Sequence, residues 1–382
     1  MNAGYRAERQ YDCVILVLQG GGALGAYQAG VFEGMTEANY LPDWITGVSM
    51  GAINGALIAG NPPGRRIERL RAFWDRVSSG VSVAAPPFLS ALHRNFANAS
   101  ATLGSVVGVP GFFTPRVPLP GLMPDGTPGA LSIYDVEPLR TTLGRLVDFD
   151  LIKRRKVRLS VGAVNVRTGQ STYFDNLRTR IGPEHVLASG ALPPAFAPIE
   201  IDGECYWDGG IVSNTPLWYA VDHSPAVNVL IVQVDLFSAE GELPQNLDQV
   251  MERHKDIMYS SKTRFDTAHA RKNQRWRGAL RRLLQKLPTR LRRDPDVKVL
   301  ETARRREHID IVHLINRRYS YTGSTKDYGF SRATVNELWA AGLEDARRVI
   351  AHPERLTRTD LSDTVRVYDL IRGPWKKLEE AA

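Results

Sequence analysis

The first strong apolar run is Cys13-Val14-Ile15-Leu16-Val17-Leu18, six residues with no polar break and several β-branched side chains. A run of that length and composition predicts a strand buried on both faces. It breaks at Gln19 into three glycines, which excludes a membrane-spanning helix at this point. A helix of small residues is predicted to about Met35, then a short strand over 44–48 and a second small-residue helix over 50–59. Asn61-Pro62-Pro63-Gly64 stops that helix, and helical spacing resumes over 65–77. Further on, the pattern predicts a helix at 135–147, strands near 157–166 and 171–174, a helix around 184–191 and a strand at 228–236. Strands alternating with helices imply an α/β fold with a mainly parallel sheet covered on both faces.

Two stretches depart from that alternation. Residues 80–131 hold eight prolines and no acidic residue before Asp125. A structureless loop of that length is uncommon inside a compact domain, and a helix is predicted within Phe88–Leu103. Two readings of 80–131 stand open, a mobile apolar lid over a lipid-like substrate and an irregular insertion. After about residue 240 come a basic helical stretch, a strand at 309–315 and a final helix near 333–351. The expected organisation is a tail over 1–12, an α/β domain over 13–240 and a basic, mainly helical carboxy-terminal extension over 241–382.

Composition narrows this only modestly. Forty-nine Lys and Arg against 41 Asp and Glu leave a net charge of +8, which favours anionic surfaces without naming a partner. Two cysteines, Cys13 and Cys205, are too few for a disulfide framework or a cysteine zinc site. The polar start MNAGYRAERQYD lacks the layout of a signal peptide, so the expected location is cytoplasmic, with any membrane contact peripheral at the inner face. The segment 271–306 carries fourteen Lys and Arg against three acidic residues. Trp276, Leu280, Leu283, Leu284, Leu287 and Leu291 recur there at helical spacing, and Pro288 interrupts or ends the helix. That pattern reads either as an amphipathic helix on an anionic membrane surface or as a solvated basic face packed through its leucines. Nucleic-acid binding has no base-reading motif behind it.

The chemistry concentrates around one serine. Gly47-Val48-Ser49-Met50-Gly51 is a G-x-S-x-G sequence between a predicted strand and a predicted helix, the setting a nucleophile elbow requires. Gly47 and Gly51 would let the chain pass closely at a sharp turn, raising the Ser49 hydroxyl at a helix N-terminus where positive potential favours an oxyanion. Gly20-Gly21-Gly22-Ala23-Leu24-Gly25 also follows a strand and opens a helix. Taken literally it matches a dinucleotide fingerprint, but the second strand ends in Val48-Ser49 and offers no carboxylate for a ribose. No G-K-[ST] closes the run as a P-loop either. Its better use is an oxyanion hole from the backbone amides of Gly20, Gly21 and Gly22 beside Ser49. None of the eight histidines has an informative setting. Asp208 sits in Tyr206-Trp207-Asp208-Gly209-Gly210, where Gly209 and Gly210 allow close backbone approach. There it reads either as a partly desolvated general base or as an ordinary turn aspartate.

The glycine triplet, G-x-S-x-G and distant D-G-G together resemble the patatin-like phospholipase family, as does Ala188-Ser189-Gly190-Ala191-Leu192-Pro193 followed by Phe196 and Pro198. The match spans about 13–240, and the carboxy-terminal third of the chain is similar to the extension of one bacterial subset. The resemblance implies a three-layer α/β/α, FabD/lysophospholipase-like catalytic domain, with Ser49 as nucleophile and Asp208 as base in a dyad without histidine. It also implies Gly21 and Gly22 as the main oxyanion donors, and a phospholipid or other acyl ester as substrate. No metal or cofactor is called for. Family members often carry Arg or Lys where this chain has Leu24. Two alternatives remain at this level, an α/β-hydrolase with a Ser–Asp–His triad and a non-catalytic peripheral membrane protein. Oligomeric state is not encoded in any feature read so far.

Overall fold

A computed structural model describes residues 11–79, 107–225, 227–302, 309–317, 326–350, 365–369 and 376–377. The predicted helix within Phe88–Leu103, and with it most of the lid-or-insertion segment up to 106, lies outside the described residues. The first half of the chain runs β1 (Cys13–Leu18), α1 (Ala26–Glu37), β2 (Trp44–Val48), α2 (Met50–Ala59) and α3 (Arg66–Val77). A small ribbon of β3 (Thr114–Pro115) and β4 (Tyr134–Asp135) precedes α4 (Glu137–Leu146), α5 (Phe149–Lys153), β5 (Arg158–Asn165), β6 (Ser171–Asp175) and α6 (Pro183–Ser189). Then come β7 (Ile199–Ile201), β8 (Glu204–Asp208), α7 (Leu217–Asp222), β9 (Val229–Asp235), the long α8 (Leu247–Lys286) and α9 (Pro295–Thr302). The chain closes with β10 (Ile309–Ile315), α10 (Arg332–Ile350), β11 (Val365–Asp369) and β12 (Lys376–Lys377).

One ten-stranded sheet in the order β12-β11-β10-β9-β1-β2-β5-β8-β7, with β6 also on β5, organises the molecule. Its centre is parallel from β11 through β5, while β6, β7, β8 and β12 run antiparallel at the two sides. Alternation sorts the side chains of β1 onto two faces, as strand geometry demands. Val14, Leu16 and Leu18 join the core under α1, α2, α3 and α10, while Cys13, Ile15 and Val17 join a second core under α7. This is the α/β/α layering expected of the chain.

The carboxy-terminal region is woven into that frame. β10 lies parallel beside β9, so the extension enlarges the same sheet. α10 crosses α1 at very short range, because Gly30 faces the Trp339 carbonyl and Gly342 faces the Tyr27 carbonyl with no room for a Cβ at either. Tyr27 donates its hydroxyl to Asp345 at 2.8 Å within that buried crossing. The apolar positions read as one stripe in 271–306 do not share one environment: Leu284 is buried, whereas Trp276 and Leu283 are exposed.

Candidate active site

Ser49 occupies the turn between β2 and α2 at φ 55°, a left-handed conformation that a serine rarely adopts. The turn closes because a Cβ on Gly47 would strike the Gly51 carbonyl, and one on Gly51 would strike the Leu18 carbonyl. Ser49 donates its backbone amide to Ser189 Oγ at 2.9 Å, and Ser189 donates in turn to the Gly162 carbonyl at 2.6 Å. The strained turn is thus held by a buried hydroxyl at the end of α6.

Asp208 ends β8 and is 3% exposed. Its amide donates to the Ala191 carbonyl at 3.0 Å, so the segment 188–193 grips both sides of the site, Ser49 through Ser189 and Asp208 through Ala191. Gly210 donates its amide to Asp208 Oδ1 at 2.7 Å. Gly209 lies against the Gly162 carbonyl, where a Cβ would come within 2.7 Å. Burial pushes the Asp208 carboxyl up to about 7, outweighing hydrogen bonds from the Gly210 amide and the Ser49 side chain that pull it down. The mutual interaction of Ser49 and Asp208 joins residues 159 positions apart in the chain.

The glycine loop lines the same pocket. Gly20 donates its amide to the Asn214 carbonyl at 3.1 Å, and Asn214 Nδ2 donates back to the Gly20 carbonyl at 3.0 Å. That amide is therefore committed, which corrects the inclusion of Gly20 among the anion donors. Among the described residues no acceptor takes the amides of Gly21 and Gly22, and Gly22 stands at φ 53°. Three further buried amide side chains brace the loop. Gln19 accepts from Leu236 and Phe237, Gln28 donates to the Gln19 carbonyl, and Asn54 donates to both Gln28 and the Gly25 carbonyl. Leu24 packs in the core, 2% exposed.

The pocket is open to solvent and spans about 710 Å³ with its mouth included. Phe112, Phe113, Phe196 and Phe330 form its apolar wall, with successive ring centroids 5.5–6.3 Å apart. No histidine lines it among the described residues. Nor do those residues contain a cluster of His, Cys, Asp or Glu fit to hold a metal ion. Tyr259, Asp327, Tyr328 and Phe330 reach it from the carboxy-terminal region, which the sequence alone did not connect to the site.

A family model described as patatin-like phospholipase matches residues 16–221, more than half of the chain. The chain belongs to the patatin-like phospholipase family. A second model, described as patatin phospholipase, matches residues 257–362 and takes in the carboxy-terminal wall of the pocket. Membership makes the chain a lipid acyl hydrolase. Two solved structures are similar at low identity. VipD from Legionella pneumophila is 14% identical with a TM-score of 0.35, over 89% of this chain and 67% of that one. The type III effector protein ExoU is 15% identical with a TM-score of 0.33, over 90% of this chain and 53% of that one. The patatin-like phospholipase described here therefore spans about two thirds and about half the length of those proteins. No curated protein sequence matches it.

Proposed function

We propose that this patatin-like enzyme hydrolyses acyl esters of lipids by a Ser49–Asp208 dyad. The observation that carries the reading is a serine held at φ 55° on a strand-to-helix turn, interacting with a buried carboxyl whose pKa is raised to about 7. Asp208 takes the hydroxyl proton as Ser49 Oγ bonds to the ester carbonyl carbon. The amides of Gly21 and Gly22 donate to the oxyanion that forms. Asp208 then returns the proton to the departing alcohol, and an acyl-enzyme remains. Water, losing a proton to Asp208, attacks that acyl group and frees the fatty acid and Ser49. A carboxyl with a pKa near 7 suits both directions of transfer at neutral pH. The domain 13–240 supplies this machinery, and the extension completes the pocket.

Ser49→Ala is expected to lower hydrolysis of a short p-nitrophenyl ester by about three orders of magnitude or more. Each of the eight histidine variants should keep most of the activity. Loss of activity in one histidine variant that stays folded would favour a triad over the dyad.

A peripheral membrane contact through 271–306 is a second proposal. Trp276 is 66% exposed, with Lys272 Nζ 5.3 Å from its ring centroid, and Arg290, Arg292 and Arg293 are exposed beyond Pro288. No described helix is long and apolar enough to cross a membrane, and the contact proposed is with the membrane surface. Reversing Arg290, Arg292 and Arg293 to Glu should abolish co-sedimentation with anionic vesicles. Undiminished co-sedimentation of the reversed protein would discard this contact.

A further inference from the structure

The carboxy-terminal region brings two tyrosines to the pocket that the dyad does not use. Tyr259 lies on α8, and Tyr328 lies just before α10. Both line the pocket beside Ser49 and Asp208. Neither hydroxyl is taken by another group among the described residues, although both side chains are largely withdrawn from solvent. Burial raises both phenols well above neutrality, with Asp327 and Asp208 adding to the effect, so both remain O–H donors across the working range of the site.

Their placement is held by charge. Lys326, 7% exposed at its side chain, pairs with Glu252 at 3.1 Å and Asp256 at 2.6 Å on α8. Next to it, Lys255 pairs with Asp327 at 2.8 Å and sits 5.5 Å from the ring centroid of Tyr328. These pairs bridge α8 to the short segment 326–328, and the Asp327 carbonyl packs directly on Gly22. Phe237 tilts against Tyr259 with centroids 4.9 Å apart and finishes this side. The pocket is therefore lined by four phenylalanine rings that offer no polar atom and by two tyrosines that offer hydroxyls.

Given the dyad reading, we propose that Tyr259 and Tyr328 determine specificity by hydrogen bonding to the alcohol portion of a glycerol-based acyl lipid. The acyl chain lies along Phe112, Phe113, Phe196 and Phe330, where nothing satisfies a polar group and burial of methylene groups is favourable. The glycerol and its substituents, rich in acceptor oxygens, meet these two neutral donors, which have no protein partner among the described residues. Through these two tyrosines the carboxy-terminal region recognises the head of the substrate, while its Phe330 lines the acyl path. A p-nitrophenyl ester lacks the glycerol oxygens that those hydroxyls would bind.

The test compares a monoacyl glycerophosphocholine with the p-nitrophenyl ester of the same fatty acid. Tyr259→Phe and Tyr328→Phe should each lower the ratio of kcat/KM values, phospholipid over p-nitrophenyl ester, about five- to tenfold. The same comparison in dissociation constants, phospholipid against free fatty acid on Ser49→Ala protein, reads the inference without turnover. Unchanged ratios in both variants overturn the inference, whatever happens to absolute rates. Full hydrolysis by Ser49→Ala would instead overturn the dyad, and the kcat/KM ratios of the tyrosine variants, which do not use that protein, would still test the inference.

Discussion

Replacing Asp208 by asparagine is expected to abolish ester hydrolysis at every pH and to stabilise the protein increasingly as pH rises from about 4 to about 7. Both outcomes follow from one desolvated carboxyl. In the folded protein it titrates near 7, and under the proposed dyad it accepts the Ser49 proton only when ionised. The kcat/KM of the wild type should therefore fall about tenfold per pH unit below that value and level off above it. In the unfolded chain an aspartate titrates near ~3.9. Between those two values the unfolded chain has lost a proton that the folded protein keeps. Stability consequently falls as pH rises from about 4 to about 7, then flattens, by an amount on the order of a few kcal/mol. The asparagine side chain carries no charge, can still accept the Gly210 amide, and escapes that cost. Scanning calorimetry at pH 4 and pH 8 should find the variant near the wild type at the lower pH and clearly more stable at the higher. Equal differences at both pH values would show that Asp208 does not carry the raised pKa.

Gly22→Ala should lower kcat by about a hundred- to a thousandfold, the cost of disturbing an oxyanion donor. Gly22 stands at φ 53°, where alanine is strained, and a Cβ there would drive into the Asp327 carbonyl. The loop can relieve the clash only by turning its amides or by displacing the 326–328 segment. Asp208 lies outside this contact, so the pH midpoint of the residual activity should stay near 7. A rate loss with that midpoint unchanged assigns the defect to the oxyanion loop. Near-normal kcat would mean that Gly22 does not donate to the oxyanion.

Much of the local structure was legible because it depends on neighbours in sequence. The run Cys13–Leu18 can be little else than a buried strand, and Ile309–Ile315 was placed at its observed limits by its apolar pattern. The glycines around Ser49 announced a tight turn because only glycine tolerates the approaches found there. The short strands β7 and β8 were not anticipated. Three and five residues, broken by Glu200 and Glu204, carry too weak an alternation to separate from loop. The motif 188–193 was recognisable only by resemblance, since holding Ser49 through Ser189 and Asp208 through Ala191 leaves no periodic trace. Gln19, Gln28, Asn54 and Asn214 brace the glycine loop through contacts across the fold, and amides of that kind look like any other polar residue in the chain.

By itself, then, the sequence determined the strand-turn-helix units, the glycine loop and the serine raised on its turn, because backbone sterics and hydrophobic period act over a few residues. Only the tertiary structure decided that Asp208 meets Ser49 and titrates near 7, that Gly20 is committed to Asn214, and that Tyr259 and Tyr328 enter the pocket. The reason is physical. Desolvation and hydrogen-bond commitment depend on which groups pack around an atom, and those groups come from chain segments far apart in sequence.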